Sequence, residues 1–159
     1  DAQDVIADTL LVPEKDESSS TIEMRFSADS ESEKEKKKMS AKIAVVDSDP
    51  AVCQSLLNVL QSISNEISVF QNGTQFVQSL SQKNYDIAIM EIYLPGINGF
   101  QILKTLLDKN ISLDVIVYSQ ITQKEYIMQT LRLGAKSYIL KPQKPEVVFQ
   151  KVVEILNAK

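Results

Sequence analysis

The stretch Ile87-Ala88-Ile89-Met90-Glu91, followed by Ile92-Tyr93-Leu94-Pro95-Gly96, is the most informative part of this chain. Four apolar residues in a row predict a short buried strand, and the Pro95-Gly96 pair predicts a turn soon after it. Glu91 would then close a buried strand with a carboxylate. A buried charge is costly unless it meets a cation, hydrogen-bond donors or water. We therefore expect the fold to supply a partner for Glu91.

Four further apolar runs lie on either side of this stretch, and helical patterns separate them. Nearly continuous apolar strands that alternate with helices indicate a parallel sheet covered by helices on both faces, which is a doubly wound α/β fold. The predicted strands are Lys42–Val46, Ile67–Phe70, Asp86–Met90, Asp114–Tyr118 and Lys136–Leu140.

Capping and turn residues mark the predicted helices. Asp49 is predicted to cap the first helix, and Asn72-Gly73 predicts a turn before the second. Gly134 is predicted to close a helix over Gln123–Leu133. Apolar residues at helical spacing mark the helix after the Pro95–Gly99 loop, namely Phe100, Leu103, Leu106 and Leu107.

Four polar residues distant in sequence share one position in this pattern. Asp47, Glu91, Ser119 and Lys141 each lie at or just after the carboxyl end of a predicted strand. Doubly wound sheets place their functional sites beyond the carboxyl ends of the strands. The pattern therefore predicts that these side chains converge at one rim of the sheet.

The composition excludes several classes of site. No apolar run approaches the ~18 residues of a membrane span. The chain has no histidine, which excludes imidazole bases and histidine-containing zinc sites. Cys53, the single cysteine, excludes an intrachain disulfide and is interpreted as a small buried residue rather than a reactive thiol. We expect a reduced, cytoplasmic setting.

Charge divides the chain into two parts. Residues 1–38 carry 11 acidic and 6 basic residues, and residues 39–159 carry 10 acidic and 11 basic residues. We interpret residues 1–38 as a flexible segment or linker, the tail of an upstream region, and residues 39–159 as one domain. A near-neutral domain without a basic stripe predicts no nucleic-acid binding by this domain.

Four motifs, in order and at family-like spacing, resemble the bacterial two-component response-regulator receiver domain. They are Val45-Val46-Asp47-Ser48-Asp49-Pro50, Met90-Glu91 with Leu94–Gly99, Val117-Tyr118-Ser119-Gln120, and Leu133–Pro142. The resemblance implies a flavodoxin-like three-layer sandwich, with a five-stranded parallel sheet of order 2-1-3-4-5 and five helices. It also implies acceptance of a phosphoryl group from a histidine kinase, assisted by Mg²⁺.

The resemblance implies functional roles for three residues. Lys141 would be the lysine that binds the phosphoryl group, and the Lys141-Pro142 bond would be cis. Ser119 would be the switch hydroxyl. Tyr138 would be the aromatic residue whose rotamer follows Ser119, although we expect its side chain to be partly exposed.

Two departures from the family pattern weaken the phosphorylation chemistry. Glu91 replaces the acceptor aspartate, and its extra methylene displaces the nucleophile, where even ~1 Å can cost about 100-fold. Ser48 replaces the second acid of the family's acidic pair, so we expect no cofactor beyond weak Mg²⁺ binding. Asp49 could partly compensate, but capping its helix is the favoured role.

The predicted function is a non-enzymatic signalling module, a pseudo-receiver, that acts through protein contact without conventional phosphorylation. Glu91 would pair with Lys141 or Ser119 as a partial phosphate mimic. The alternatives are a conventional phosphoacceptor that uses Glu91 or Asp47, and, less favoured, a small ligand-binding or enzymatic α/β domain.

The predicted contact surface lies within Gln123–Leu156. By the resemblance it comprises the fourth helix, the fifth strand and the fifth helix, and it would serve a protein partner or self-association. A histidine kinase or an upstream domain is the other expected partner, and no membrane contact is expected. The solvent face of this surface is predicted to carry Lys124, Tyr126, Arg132, Lys144 and Lys151.

Overall fold

Five strands and five helices alternate through residues 41–159, the part of the chain that the computed structural model describes. The strands are β1 (Lys42–Val46), β2 (Glu66–Phe70), β3 (Ile87–Met90), β4 (Asp114–Ser119) and β5 (Ser137–Leu140). The helices are α1 (Pro50–Leu60), α2 (Gly73–Ser79), α3 (Gly99–Asp108), α4 (Lys124–Arg132) and α5 (Pro145–Asn157). The predicted strands agree with these bounds to within one residue at each end.

All strand pairs are parallel, and the sheet order is β2-β1-β3-β4-β5. This confirms the doubly wound α/β fold and the predicted strand order. β1 and β3 lie inside the sheet, so the residues that follow them emerge next to each other. The expectation for residues 1–38 lies outside the described residues.

Helices cover both faces of the sheet, because successive side chains of a strand point to opposite faces. On one face Ile43, Val45, Ile116 and Tyr118 pack with α1 and α5, and we call this the α5-side core. On the other face lies the α3-side core, built on α2, α3 and α4, which includes Phe76, Ile102, Leu103, Ile127 and Tyr138. No helix within residues 41–159 is long and apolar enough to cross a membrane.

The helix ends follow the predicted capping chemistry with one exception. Asp49 Oδ1 accepts a hydrogen bond from Ala51 N (2.9 Å), which caps α1. Gly134 has φ 106° and follows α4, and the next amide, that of Ala135, donates to Thr130 O (3.0 Å), which is a Schellman closure. The exception is Asn72-Gly73: instead of forming a separate turn, Asn72 is the N-cap of α2 and Gly73 its first residue.

One apolar position in α3 lies on the other side of the helix from the core. Leu107 is 51% exposed, whereas Ile102 is fully buried in the α3-side core. The buried face of α3 carries Ile102, Leu103 and Leu106. Their spacing, one residue and then three, fits a single face of a helix. Leu107 marks the helix correctly but does not contribute to its buried face.

Two glycines bring backbone against backbone around the loop between β3 and α3. A Cβ on Gly73 would overlap the carbonyl oxygen of Ile97, and a Cβ on Gly99 would lie 2.8 Å from Ile92 Cα. The amides of both glycines donate to carbonyls of this loop, Gly73 to Pro95 O (3.1 Å) and Gly99 to Ile92 O (2.8 Å). Both ends of the loop that follows Glu91 are therefore held by main-chain contacts.

Candidate functional site

Three ionisable side chains meet where β1, β3 and β5 end. Lys141 Nζ lies 2.8 Å from Asp47 Oδ2 and 2.9 Å from Glu91 Oε1. Asp47 and Glu91 are buried, and the Lys141 side chain is 12% exposed. We call Asp47, Glu91 and Lys141 the rim cluster. The structure thus brings together three of the four residues predicted at this rim.

Both oxygens of Glu91 have hydrogen-bonding partners. Oε1 accepts from Lys141, and Oε2 accepts from the backbone amides of Ile92 (2.6 Å) and Tyr93 (3.3 Å). The cation and the two amides offset the cost of burying this carboxylate at the end of an apolar strand. The partner that the sequence required for Glu91 is Lys141.

Asp47 is held in the same way. Its Oδ2 accepts from Lys141, and its Oδ1 accepts from the backbone amide of Asp49 (2.9 Å). Asp49 itself caps α1, and Ser48 is exposed beside it. Among residues 41–159 no group of three or more Asp, Glu or Cys side chains is arranged to hold a metal ion. With these hydrogen bonds, every carboxylate oxygen of Asp47 and Glu91 in the rim cluster has a partner.

Lys141 also has an aromatic neighbour that sequence reasoning missed. Its Nζ lies 5.5 Å from the ring centroid of Tyr118, a residue of β4 in the α5-side core. Burial acts to lower the pKa of Lys141, but hydrogen bonds and charge from Asp47 and Glu91 outweigh burial and raise the pKa. Lys141 is therefore a protonated cation at neutral pH. The Lys141-Pro142 bond is cis, as the resemblance implied.

Ser119, the fourth residue predicted at the rim, contacts the backbone of Lys141 but takes no part in the ion pairs. It is fully buried, its Oγ accepts a long hydrogen bond from Ile121 N (3.4 Å), and its carbonyl accepts from Lys141 N (2.9 Å). Within residues 41–159 the Ser119 hydroxyl forms no hydrogen bond with Glu91. Of the two partners expected for Glu91, Lys141 is present and Ser119 is not.

Tyr138 is buried, which corrects the expectation that its side chain is partly exposed. It is 3% exposed, and its hydroxyl donates to Ile121 O (2.6 Å). Burial raises the pKa of Tyr138 to about 12. The ring packs in the α3-side core beneath the connection between β4 and α4, where its hydroxyl has a main-chain acceptor.

Cys53 is buried, as the sequence predicted, and it packs beneath the rim. Its Sγ lies 3.2 Å from Asp47 O. Burial raises the pKa of this thiol, and the charges of Asp47 and Asp49 act in the same direction. The thiol is therefore protonated at neutral pH and is a weak nucleophile.

The predicted contact surface is mostly exposed, with one correction. Lys124, Tyr126, Arg132 and Lys144 are exposed on α4 and before α5. The Lys151 side chain, by contrast, is 14% exposed and pairs with Glu154 (3.1 Å). A lysine buries its methylene stem readily when its ammonium finds a partner, and position alone does not reveal such packing.

Comparisons with known proteins show the family of this chain. The family model described as "Response regulator receiver domain" matches residues 43–153. The transcriptional regulatory protein ComA of Bacillus subtilis is 30% identical over 121 residues, which cover 73% of this chain and 56% of ComA. The protein-glutamate methylesterase/protein-glutamine glutaminase of Clostridium acetobutylicum is 33% identical over 108 residues, covering 65% of this chain and 31% of that protein.

Solved structures support the same architecture. A CheY-like receiver domain protein from Methanospirillum hungatei superposes with a TM-score of 0.69 at 23% identity, over 74% of this chain and 94% of that one. The fold is flavodoxin-like. The chain spans about half the length, or less, of the curated relatives named above. From the matched residues 43–153, the sheet order and the acid-lysine rim, we conclude that this chain belongs to the response regulator receiver domain family.

Proposed function

We propose that this domain is a pseudo-receiver, which signals through protein contact without conventional phosphorylation. The observation that supports this most directly is the engagement of both Glu91 oxygens, one by Lys141 Nζ at 2.9 Å and the other by the amides of Ile92 and Tyr93. In the receiver family this position holds the phosphate-accepting aspartate.

Phosphoryl transfer to Glu91 would require one of its oxygens to attack phosphorus in line. Attack by Oε1 breaks the Lys141 ion pair, and attack by Oε2 breaks two amide hydrogen bonds in a buried site. The extra methylene also places the nucleophile away from the position of an aspartate oxygen. Positional errors of ~1 Å can cost about 100-fold in rate. We infer that Glu91 is a poor acceptor.

The same contacts support a structural role for Glu91. A permanent carboxylate next to the Lys141 ammonium supplies part of the negative charge that a phosphoryl group would bring. A carboxylate carries a single charge and two oxygens, so the mimicry is partial. Glu91 would hold the rim in one arrangement without a kinase.

We infer that Mg²⁺ binds weakly at the rim. A divalent cation requires several anionic oxygens, whereas Lys141 and backbone amides already satisfy Asp47 and Glu91. Asp49 caps α1, and the neighbouring position is Ser48. Binding of Mg²⁺ would have to displace the Lys141 ammonium, so the residues present do not suit this ion.

The proposal is tested with a small phosphodonor, Mg²⁺ and intact-mass measurement of the full chain. We expect no stoichiometric adduct, while a conventional receiver domain treated in parallel is modified. A stoichiometric phosphoryl adduct that disappears in Glu91→Ala would contradict the proposal. An adduct that persists in Glu91→Ala but disappears in Asp47→Asn would assign the acceptor to Asp47, which is the conventional alternative.

The contact surface is proposed to lie on α4, β5 and α5, within Gln123–Leu156. Tyr126, which is 43% exposed and packs against Phe100 with ring centroids 5.9 Å apart, and Lys144 are candidates for its centre. The occupant we propose is a second copy of this chain, in a cytoplasmic setting. Sedimentation of the full chain and of Tyr126→Ala/Lys144→Ala tests self-association, which the double substitution should weaken.

We propose no enzymatic activity for this domain. The chain lacks histidine, Cys53 is buried with a raised pKa, and the methylesterase relative is matched over only 31% of its own length. Turnover of a model ester by the full chain would contradict this proposal.

A further inference from the structure

Tyr118 links the rim cluster to the start of α5. Its ring lies 5.5 Å from Lys141 Nζ, within the range of a cation–π contact. Its hydroxyl donates to Gln143 O, a backbone carbonyl in the connection between β5 and α5. One side chain thus contacts the ammonium of Lys141 and the main chain two residues after it.

The hydrogen bonds of the Lys141 ammonium leave one side of this group for the Tyr118 ring to contact. The ammonium has three N–H donors, and two of them serve Asp47 and Glu91. Tyr118 is 6% exposed, so its ring presents a desolvated aromatic surface to the cation, where such contacts are strongest. Burial raises the pKa of Tyr118 and the Lys141 charge acts to lower it, which agrees with their proximity.

We propose that Tyr118 is a positioning residue for Lys141 and transmits changes in the rim cluster to the backbone that begins α5. This route is distinct from Tyr138, which lies on the opposite face of the sheet and bonds to Ile121 O. Tyr118 would carry a shift of Lys141 to Gln143 and from there to Lys144 and Pro145. The inference rests on the Glu91–Lys141 pair that the proposed function uses.

Side-chain and amide NMR of the full chain tests this link. The NMR signals of the Lys141 side-chain protons near the Tyr118 ring should be shifted upfield. Tyr118→Leu should abolish that shift. Glu91→Gln should move the amide signals of Gln143 and Lys144, and this response should be lost in the Tyr118→Leu background.

Two further variants separate the link from general damage to the core. Tyr118→Phe keeps the ring but lacks the hydroxyl, so it should retain the upfield shift of Lys141 and lose most of the response at Gln143. Tyr85→Phe is the matched control, because Tyr85 is buried in the α3-side core and its hydroxyl bonds to Ser79 Oγ (2.8 Å). It should leave both signals unchanged.

Two results would overturn the inference. One is an unchanged Lys141 shift in Tyr118→Leu, and the other is a full Glu91→Gln response at Gln143 in Tyr118→Phe. If Tyr118→Leu does not fold, the Tyr118→Phe result alone decides whether the hydroxyl carries the response. No phosphodonor is used, so failure here is distinguishable from phosphorylation of Glu91, which intact mass detects.

Discussion

Lys141 is ion-paired with two buried carboxylates, and its replacement should be strongly destabilising. Removing one partner of a buried ion pair typically costs about 3–5 kcal/mol because a charge is left without compensation. Backbone amides also serve Asp47 and Glu91, so we expect Lys141→Met to lower the free energy of unfolding by about 3 kcal/mol, the low end of that range. Urea unfolding of the full chain measures this.

Lys144→Met is the control, because Lys144 is exposed. It should change the free energy of unfolding by no more than about 0.5 kcal/mol. Equal losses in the two variants would show that Lys141 does not stabilise the buried carboxylates.

The raised pKa of Lys141 predicts how stability depends on alkaline pH. Burial opposes the charge, but Asp47 and Glu91 outweigh burial and raise the pKa above its ordinary 10.5. A raised lysine pKa contributes stability that is complete below the unfolded value and is lost as pH rises through the folded value. The free energy of unfolding should therefore fall above about pH 10.5.

Comparison with Lys141→Met tests this effect. Burial raises the pKa of Tyr138 to about 12 and also raises the pKa values of Tyr118 and Cys53, so these groups ionise more readily in the unfolded chain and lower the stability of both proteins at alkaline pH. Between about pH 9 and about pH 12, the free energy of unfolding should decline more steeply with pH in the natural chain than in Lys141→Met. Parallel declines would exclude a contribution from Lys141.

Ser137 is a buried hydroxyl without a hydrogen-bond partner among residues 41–159. An unsatisfied buried polar group costs about 1–3 kcal/mol. Ser137→Ala should therefore raise the free energy of unfolding by about 1 kcal/mol. Ser64→Ala should do the opposite, because Ser64 Oγ donates to Ala41 O (2.6 Å). Destabilisation by Ser137→Ala would indicate a partner for this hydroxyl.

At the scale of single elements, α3 depends on a reciprocal cap. Asn98 Oδ1 accepts from Gln101 N (2.9 Å), and Gln101 Oε1 accepts from Asn98 N (2.9 Å), which is a capping box. Asn98→Ala should cost about 1 kcal/mol of unfolding free energy. Gln101→Ala should also lower the free energy of unfolding, because it removes the reciprocal bond. Gln75→Ala, at the position of α2 that corresponds to Gln101 but without a reciprocal bond, should cost less; equal costs in the two glutamine variants would mean that the Gln101 side chain contributes nothing.

Element positions were predictable because each depends on a local signal, and the differences arise where tertiary packing decides. Asn72 carries a turn signal, but an asparagine at the start of a helix serves equally as its cap. Leu107 is apolar, yet the one-sided contact of α3 with the sheet leaves it exposed. Only the neighbours of Lys151 and Tyr138 determine how far these amphipathic side chains are buried.

The rim cluster was predictable for a geometric reason that applies to the whole molecule. Parallel strands bring their carboxyl ends to one edge, so Asp47, Glu91 and Lys141 converge whatever their separation in sequence. Tyr118 was not predictable in the same way. It is the last residue but one of β4 and was predicted only as part of a buried strand, and no spacing rule places its ring beside a lysine that follows β5.

Cys53 reports on opening of the whole domain, because α1 must separate from the α5-side core before the thiol meets solvent. The thiol is buried and its pKa is raised by burial and then by Asp47 and Asp49. We expect the folded chain to react with an aromatic disulfide reagent at least about 100-fold more slowly than the chain in urea. Equal rates in both conditions would mean that α1 opens freely.

The glycine contacts around the β3–α3 loop create an opportunity for labelling. Main-chain packing at Gly73 and Gly99 holds the loop, while the side chain of Tyr93, near the start of the loop, is 67% exposed. The course of this loop therefore does not depend on the side chain at position 93. A small fluorophore attached through Tyr93→Cys would sit on the residue whose amide contacts Glu91 Oε2. Such a probe would observe the rim from outside while the natural contacts of Glu91 stay in place.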